Sequence, residues 1–138
     1  MHLRVVTPQG AKLETDVSAI SAPGTLGDMG ILPGHQPLLT SLRIGPLSYT
    51  ANGQTGWLAI NGGYMEVADD DLIVITETAE TPSEIDVERA KQALADAAKE
   101  IASIDGTREE ALANAEASRQ RAENRLAVAQ KVGRELPE

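Results

Sequence analysis

A chain of 138 residues has room for one ordinary domain, or for one compact domain with an appended element. Its formal charge of −9 and its three aromatics (Trp57, Tyr49, Tyr64) argue against nucleic acid and anionic lipid as partners. The absence of Cys excludes disulfides and thiolate metal sites, and two histidines, His2 and His35, are too few for a His-rich metal cluster. No apolar run approaches the roughly 18 residues that span a bilayer. The segment before Thr7 is too short for a signal-peptide core. The expectation is a soluble protein whose membrane association, if any, comes through a partner.

From His2 to about Thr81 the pattern is short and β-like. Leu3, Val5 and Thr7 alternate with their neighbours, Pro8-Gln9-Gly10 supplies a turn, and Leu13, Val17 and Ile20 are the apolar positions of the next stretch. Residues 21–40 are dense in Gly and Pro and read as a run of backbone turns. Leu47–Ala51 and Gly56–Ile60 flank a four-residue hairpin connection at Asn52–Thr55. Tyr64–Val67 and Leu72–Thr76 flank a bend at Ala68–Asp71, where Asp69, Asp70 and Asp71 read as solvated acids. Short strands with frequent turns predict an antiparallel β-sandwich over residues 1–82.

After Pro82 the period becomes helical. Ser83 reads as an N-cap with Asp86 as an acid in the first turn, and Ile85, Ala90, Ala93, Leu94, Ala97, Ile101 and Ile104 follow at helical spacing. Asp105-Gly106-Thr107 reads as a stop and restart, with Gly106 left-handed and Thr107 capping a second helix from about Arg108 to Val132. Gly133 and Pro137 end that helix. Residues 83–138 thus form an antiparallel α-helical hairpin. Its seam is mostly alanine, which buries little area against the entropy of ordering it, so the hairpin is expected to need docking. Arg119, Arg121, Arg125, Lys131 and Arg134 make a local basic patch, a candidate anion site or a face matched to the helix dipole.

The chain carries four motifs in order. Residues 24–40 read Gly-Thr-Leu-Gly-Asp-Met-Gly-Ile-Leu-Pro-Gly-His-Gln-Pro-Leu-Leu-Thr; Gly62-Gly63-Tyr64-Met65-Glu66-Val67 follows. Then come Ile85-Asp86-Val87-Glu88-Arg89-Ala90 and Arg121-Ala122-Glu123-Asn124-Arg125-Leu126-Ala127-Val128-Ala129. Together they resemble the epsilon subunits of F-type ATP synthases over essentially the whole chain. The first motif is neither a P-loop nor a dinucleotide fingerprint, since no Gly-Lys-Ser/Thr ends it and no crossover helix follows.

The resemblance implies a rotor subunit with no active site and no required cofactor. Its sandwich would bind the gamma subunit and rest on the ring of c subunits, with Asp28 and His35 in the ring-facing turn. The helices would reach the alpha and beta subunits and restrain ATP hydrolysis by switching between compact and extended states. In some bacterial members the hairpin binds ATP as a regulatory ligand. By position, Glu80, Ile85, Asp86, Arg89, Ala90, Arg121 and Arg125 would contact it, although Asp96 stands where ATP-binding relatives carry arginine. The structural alternatives are that Asp86 caps a helix, that Arg89 pairs with a carboxylate and that His35 satisfies backbone groups in its turn. The implied location is peripheral, on the soluble face of a bacterial plasma membrane or a thylakoid. Catalysis has no support in the residues, because no nucleophile–base set is suggested. A generic helical-hairpin adaptor leaves the four motifs unexplained.

Overall fold

The computed structural model describes residues 1–131. Eight strands occupy the first part: β1 His2–Thr7, β2 Gly10–Asp16, β3 Ala19–Gly24, β4 Gly27–Ile31, β5 Leu38–Ala51, β6 Gln54–Ala68, β7 Asp71–Ile75 and β8 Ala79–Glu80. They form one hydrogen-bonded sheet in the order β2-β1-β7-β6-β5-β3-β4, with β8 paired to β6. The sheet folds over on itself into a sandwich. Leu3, Val5, Met65, Val67, Leu72 and Val74 meet Ile20, Ile31, Leu47, Leu58 and Ile60 in a single core. The antiparallel expectation needs one correction: β1 and β7 run parallel, from His2 beside Asp71 to Val6 beside Ile75.

The turn-rich stretch contains more strand than its composition suggests. Pro23 and Gly24 end β3, Gly27–Ile31 is a strand of its own, and Thr25-Leu26 is the tight turn between them. The stretch that carries Leu13, Val17 and Ile20 is divided between β2 and β3, with Val17 in the connection between them. Both hairpin connections are shorter than expected. Asn52 and Gly53 alone link β5 to β6, at φ 53° and 76°, and Asp69 and Asp70 link β6 to β7, at φ 51° and 60°. Two successive left-handed residues match the twist of the flanking strands, which explains Asn-Gly at the first of these turns.

β5 and β6 are long because each serves both layers. The bend in β6 falls at Gly62 and Gly63, where φ is 72° and 113°. Before it, β6 pairs with β8 through Ala59 and Ile60; after it, β6 pairs with β7 from Tyr64 onward. A Cβ on Gly63 would lie 1.9 Å from the Ile75 carbonyl oxygen, so no other residue fits without moving β7. This is the physical content of the Gly-Gly motif.

Pro82–Glu84 forms a 3₁₀ turn, and two α-helices follow, α1 Val87–Ser103 and α2 Glu109–Ala129. The cap of α1 is Asp86, whose carboxylate accepts from the Arg89 N–H at 3.1 Å, rather than Ser83. Gly106 is not left-handed, and Ile104 ends α1 in an extended conformation. Asp105 Oδ1 instead holds the turn by accepting from the Thr107 N–H at 3.0 Å. Arg108, not Thr107, stands at the N-cap of α2, and α2 stops at Ala129. Val132, Gly133, Arg134 and Pro137 lie outside the described residues.

Ala90 and Ala97 of α1 and Ala115 and Ala122 of α2 are buried at seven-residue spacing, so small side chains let the helices approach closely. α2 also packs on β5 and β6. That explains the continuous apolar run Leu58-Ala59-Ile60: Leu58 and Ile60 face the sandwich interior, while Ala59 packs with Val128 and Ala129 of α2.

Candidate functional site

Where the 3₁₀ turn and the start of α1 meet the C-terminal half of α2, a cleft of about 230 Å³ opens. Its lining is Glu80, Glu84, Asp86, Arg89, Ala90 and Arg125. Five of the seven predicted nucleotide positions therefore share one cavity. Ile85 is buried beside it, in the small core with Ala59, Val128 and Ala129. Arg121 lies one helical turn from Arg125 and lines an adjoining pocket with Glu80, Thr78, Asn61 and Asn124.

All but one of the charges in the cleft already have work inside the fold. Arg125 Nε donates to Glu80 Oε1 at 2.7 Å, tying α2 to β8 across 45 positions of sequence. Glu84 Oε2 meets Lys12 Nζ at 2.5 Å, while its Oε1 accepts from the Thr81 N–H at 3.0 Å and the Thr81 hydroxyl at 2.8 Å. Partial burial opposes ionisation of Glu84, but the Lys12 and Thr81 hydrogen bonds prevail and hold its carboxyl below the usual range. Asp86 is engaged as the α1 cap, as the structural reading anticipated. Arg89 does not find the carboxylate partner that reading gave it: among the described residues its guanidinium has no hydrogen bond or ion pair. Asp96 accepts from Gln92 Nε2 at 2.8 Å.

Three carboxylates face two guanidiniums, so the cleft itself is not positive. The predicted basic patch is likewise dispersed into separate contacts. Arg119 pairs with Glu116 at 2.5 Å, Arg121 Nη2 bonds Ser118 Oγ at 3.0 Å, and Lys131 Nζ sits 4.5 Å from the Trp57 ring centroid. Arg134 is outside the described residues.

The turn residues are also engaged. Asp28 on β4 pairs with Arg43 of β5. His35 Nδ1 lies 2.7 Å from the Gln36 carbonyl oxygen, matching the expectation that it satisfies the backbone of its own turn. Asp70 Oδ1 accepts from the Gly34 N–H at 2.7 Å and so pins the same loop, a role that the solvated-acid reading missed.

Sequence reasoning also missed a surface on the outer face of the sheet. Cross-strand register places Val6, Ile75, Tyr64 and Ser41 in one row and Arg4, Ile73, Glu66 and Leu39 in the next. Leu39, Tyr64 and Ile75 are exposed at 70%, 60% and 51%, an unusual concentration for large apolar side chains. Leu26 and Leu32 stand exposed in the turns beside it. The alternation Tyr64-Met65-Glu66-Val67 was readable in the sequence, but which strands lie beside it was not.

The fold defines a class: a β-sandwich made from one folded sheet, carrying a two-helix arm across its side and a carboxylate–arginine cleft at their junction. Known proteins of this class narrow it further. Residues 1–82 match the family described as ATP synthase, Delta/Epsilon chain, beta-sandwich domain. ATP synthase epsilon chain 2 of Syntrophotalea carbinolica is 44% identical over 134 residues, covering 97% of this chain and 96% of that one. The epsilon chain of Trichlorobacter lovleyi is 52% identical over 94 residues, 68% of each chain. Among solved structures, a chain of the Euglena gracilis mitochondrial ATP synthase (OSCP/F1/c-ring, rotational state 1) superposes with a TM-score of 0.79 at 27% identity. The match covers 93% of this chain and 79% of that one. A chain of the Tetrahymena thermophila central stalk and c-ring shares the fold, with a TM-score of 0.59 at 21% identity over 95% and 94% of the two chains. The chain belongs to the ATP synthase delta/epsilon family, among the epsilon chains. No helix of the described residues is long and apolar enough to cross a membrane.

Proposed function

We propose that this chain is a non-catalytic rotor subunit: its sandwich joins the central stalk to the c ring, and its helical hairpin restrains ATP hydrolysis. The observation that carries the proposal is the apolar face built from Val6, Leu39, Tyr64, Ile73 and Ile75. A face of this kind, with Arg4, Glu66 and Ser41 among its apolar residues, suits a permanent protein partner. The gamma subunit is the partner that the family supplies. Strand β4, which carries Asp28, and the turns on either side of it, which carry Leu26, Leu32 and His35, are assigned to the c ring. Attachment through these partners makes the protein peripheral on the soluble face of a bacterial plasma membrane or a thylakoid, and its helices reach the alpha and beta subunits.

Burying an aspartate in place of an apolar anchor leaves a charge unpaired in the interface. Tyr64→Asp and Ile75→Asp are therefore expected to weaken binding to purified gamma by about 100-fold each, while the circular dichroism of the isolated chain stays unchanged. Unaltered affinity would remove this face from the account. Asp28→Lys places like charge beside Arg43 and is expected to impair ring coupling without unfolding the chain. Normal coupling in the assembled complex would refute the assignment of that turn.

The cleft at the hairpin base is assigned to a nucleotide phosphate, held by Arg89 and Arg125. Its volume is below the roughly 300–1,000 Å³ usual for a small-molecule pocket, so ATP would be only partly enclosed. Glu80 also competes for Arg125. Binding is accordingly expected to be weak, on the order of 1 mM. Calorimetry of the whole chain with ATP tests this; absence of heat and of NMR shifts at ~10 mM ATP would leave a regulator without a nucleotide sensor.

A further inference from the structure

The outward face of the sheet is not uniformly apolar, and its charges are placed in order. Across the strands β2, β1, β7, β6 and β5, one row reads Glu14, Arg4, Ile73, Glu66, Leu39 and the next reads Ala11, Val6, Ile75, Tyr64, Ser41. The middle strand, β7, contributes Ile73 and Ile75, with Val6 and Tyr64 beside Ile75. Arg4 and Glu66 stand on either side of Ile73, two strand spacings or about 10 Å apart. Both are exposed, and among the described residues neither side chain has a hydrogen bond or ion pair. Glu14, opposite Arg4 on β2, is engaged with His2 at 3.3 Å. Other exposed charges of the sandwich are paired within the chain, as Lys12 is with Glu84 and Asp28 with Arg43.

We propose that Arg4 and Glu66 set the orientation in which the partner docks: it presents a carboxylate over Arg4 and a basic group over Glu66, flanking the apolar residues that meet Ile73 and Ile75. The argument is one of desolvation. A partner that covers Tyr64 and Ile75 also covers the flanking strands, and so withdraws both ions from water. A covered charge with no counter-charge costs far more than an apolar contact returns. The same partner rotated by half a turn about the sheet normal would set like charges together, so the pair admits one orientation and rejects its opposite. The inference rests on the reading that gamma occupies this face, and it adds the charge pattern that gamma must carry there.

Binding of the whole chain to purified gamma, measured by surface plasmon resonance, tests it through the direction of the effect. Arg4→Met and Glu66→Gln each remove one charge and keep much of the bulk. Where gamma supplies the opposite charge, each substitution strands that charge in the interface, and affinity should fall about 30-fold. Where gamma supplies none, each substitution removes an unpaired ion and binding tightens. Tighter or unchanged binding by either variant would overturn the proposal. Arg4→Glu combined with Glu66→Arg leaves the net charge at −9, so its affinity reports placement alone. It should bind about 1,000-fold more weakly, and wild-type affinity would contradict an orienting pair. Tyr64→Asp and Ile75→Asp separate the two readings. If they leave affinity unaltered, gamma does not occupy the face; if they abolish binding while the charge variants bind normally, only the pairing is refuted. Should a variant fold poorly by circular dichroism, a structure of the wild-type complex decides. A gamma carboxylate and a gamma basic group within about 4 Å of Arg4 and Glu66 sustain the proposal, and apolar groups in those places refute it.

Discussion

Glu84 joins the two parts of the molecule through one side chain. It reaches back to Thr81, as in a capping box, and across to Lys12 on β2, 72 positions away. Its carboxyl is held below the ordinary value of 4.5, so its contribution to stability is present above that value and lost as pH falls through the lowered one. The urea midpoint of the wild-type chain should exceed that of Glu84→Gln by a constant margin above pH 4.5, and the margin should shrink below it. Lys12→Ala should move the NMR titration midpoint of Glu84 upward. His2 has the opposite sign. Hydrogen bonds to Asp16 and then Glu14 raise its pKa above 6.5, so whatever it adds is present below 6.5 and lost as pH rises through the raised value. Gly63 is the residue with least freedom. Gly63→Ala drives a Cβ into the Ile75 carbonyl and strains a φ of 113°, which should cost about 3 kcal/mol or more. A shifted urea midpoint with an unchanged slope would record it, and a neutral outcome would show that the bend is not needed.

At the level of elements, the change from strand to helix near Pro82 was legible because the apolar period itself changes there. Asp86 is a case in point: its place before a helical run fits the cap it makes. β4 and the full lengths of β5 and β6 were not legible. Gly27, Gly30, Gly45, Pro46, Gly62 and Gly63 interrupt the local pattern, yet neighbouring strands hold these segments extended. The cleft was legible only through resemblance to a family, since nothing local in the sequence pairs Glu80 with Arg125. Asp28 with Arg43 is the same kind of case, because the neighbourhood of β3, β4 and β5 had to be known first. The helix seam makes an element-level prediction. Ala122 is 1% exposed, and Ala122→Leu would overpack the contact by three heavy atoms. It should destabilise the hairpin by about 1–3 kcal/mol. Helical ellipticity should then melt before the β signal, whereas one shared transition at the wild-type temperature would contradict a tightly fitted seam.

At the scale of the whole molecule, the two parts have separate duties. The sandwich holds nearly all of the large buried side chains and presents the outward apolar face, so the proposed anchoring is assigned to it. The hairpin buries mostly alanine and meets the sandwich through Val128 and Ala129 at the end of α2, and on the proposed reading it is the part that moves. That division of labour is the central claim. It is tested most directly by incorporating the chain, whole or lacking residues 83–138, into a synthase depleted of its own epsilon subunit, and measuring proton-driven ATP synthesis and ATP hydrolysis side by side. The account predicts that synthesis is retained by the truncated chain while hydrolysis rises; loss of synthesis, or hydrolysis unchanged from that with the whole chain, would contradict it.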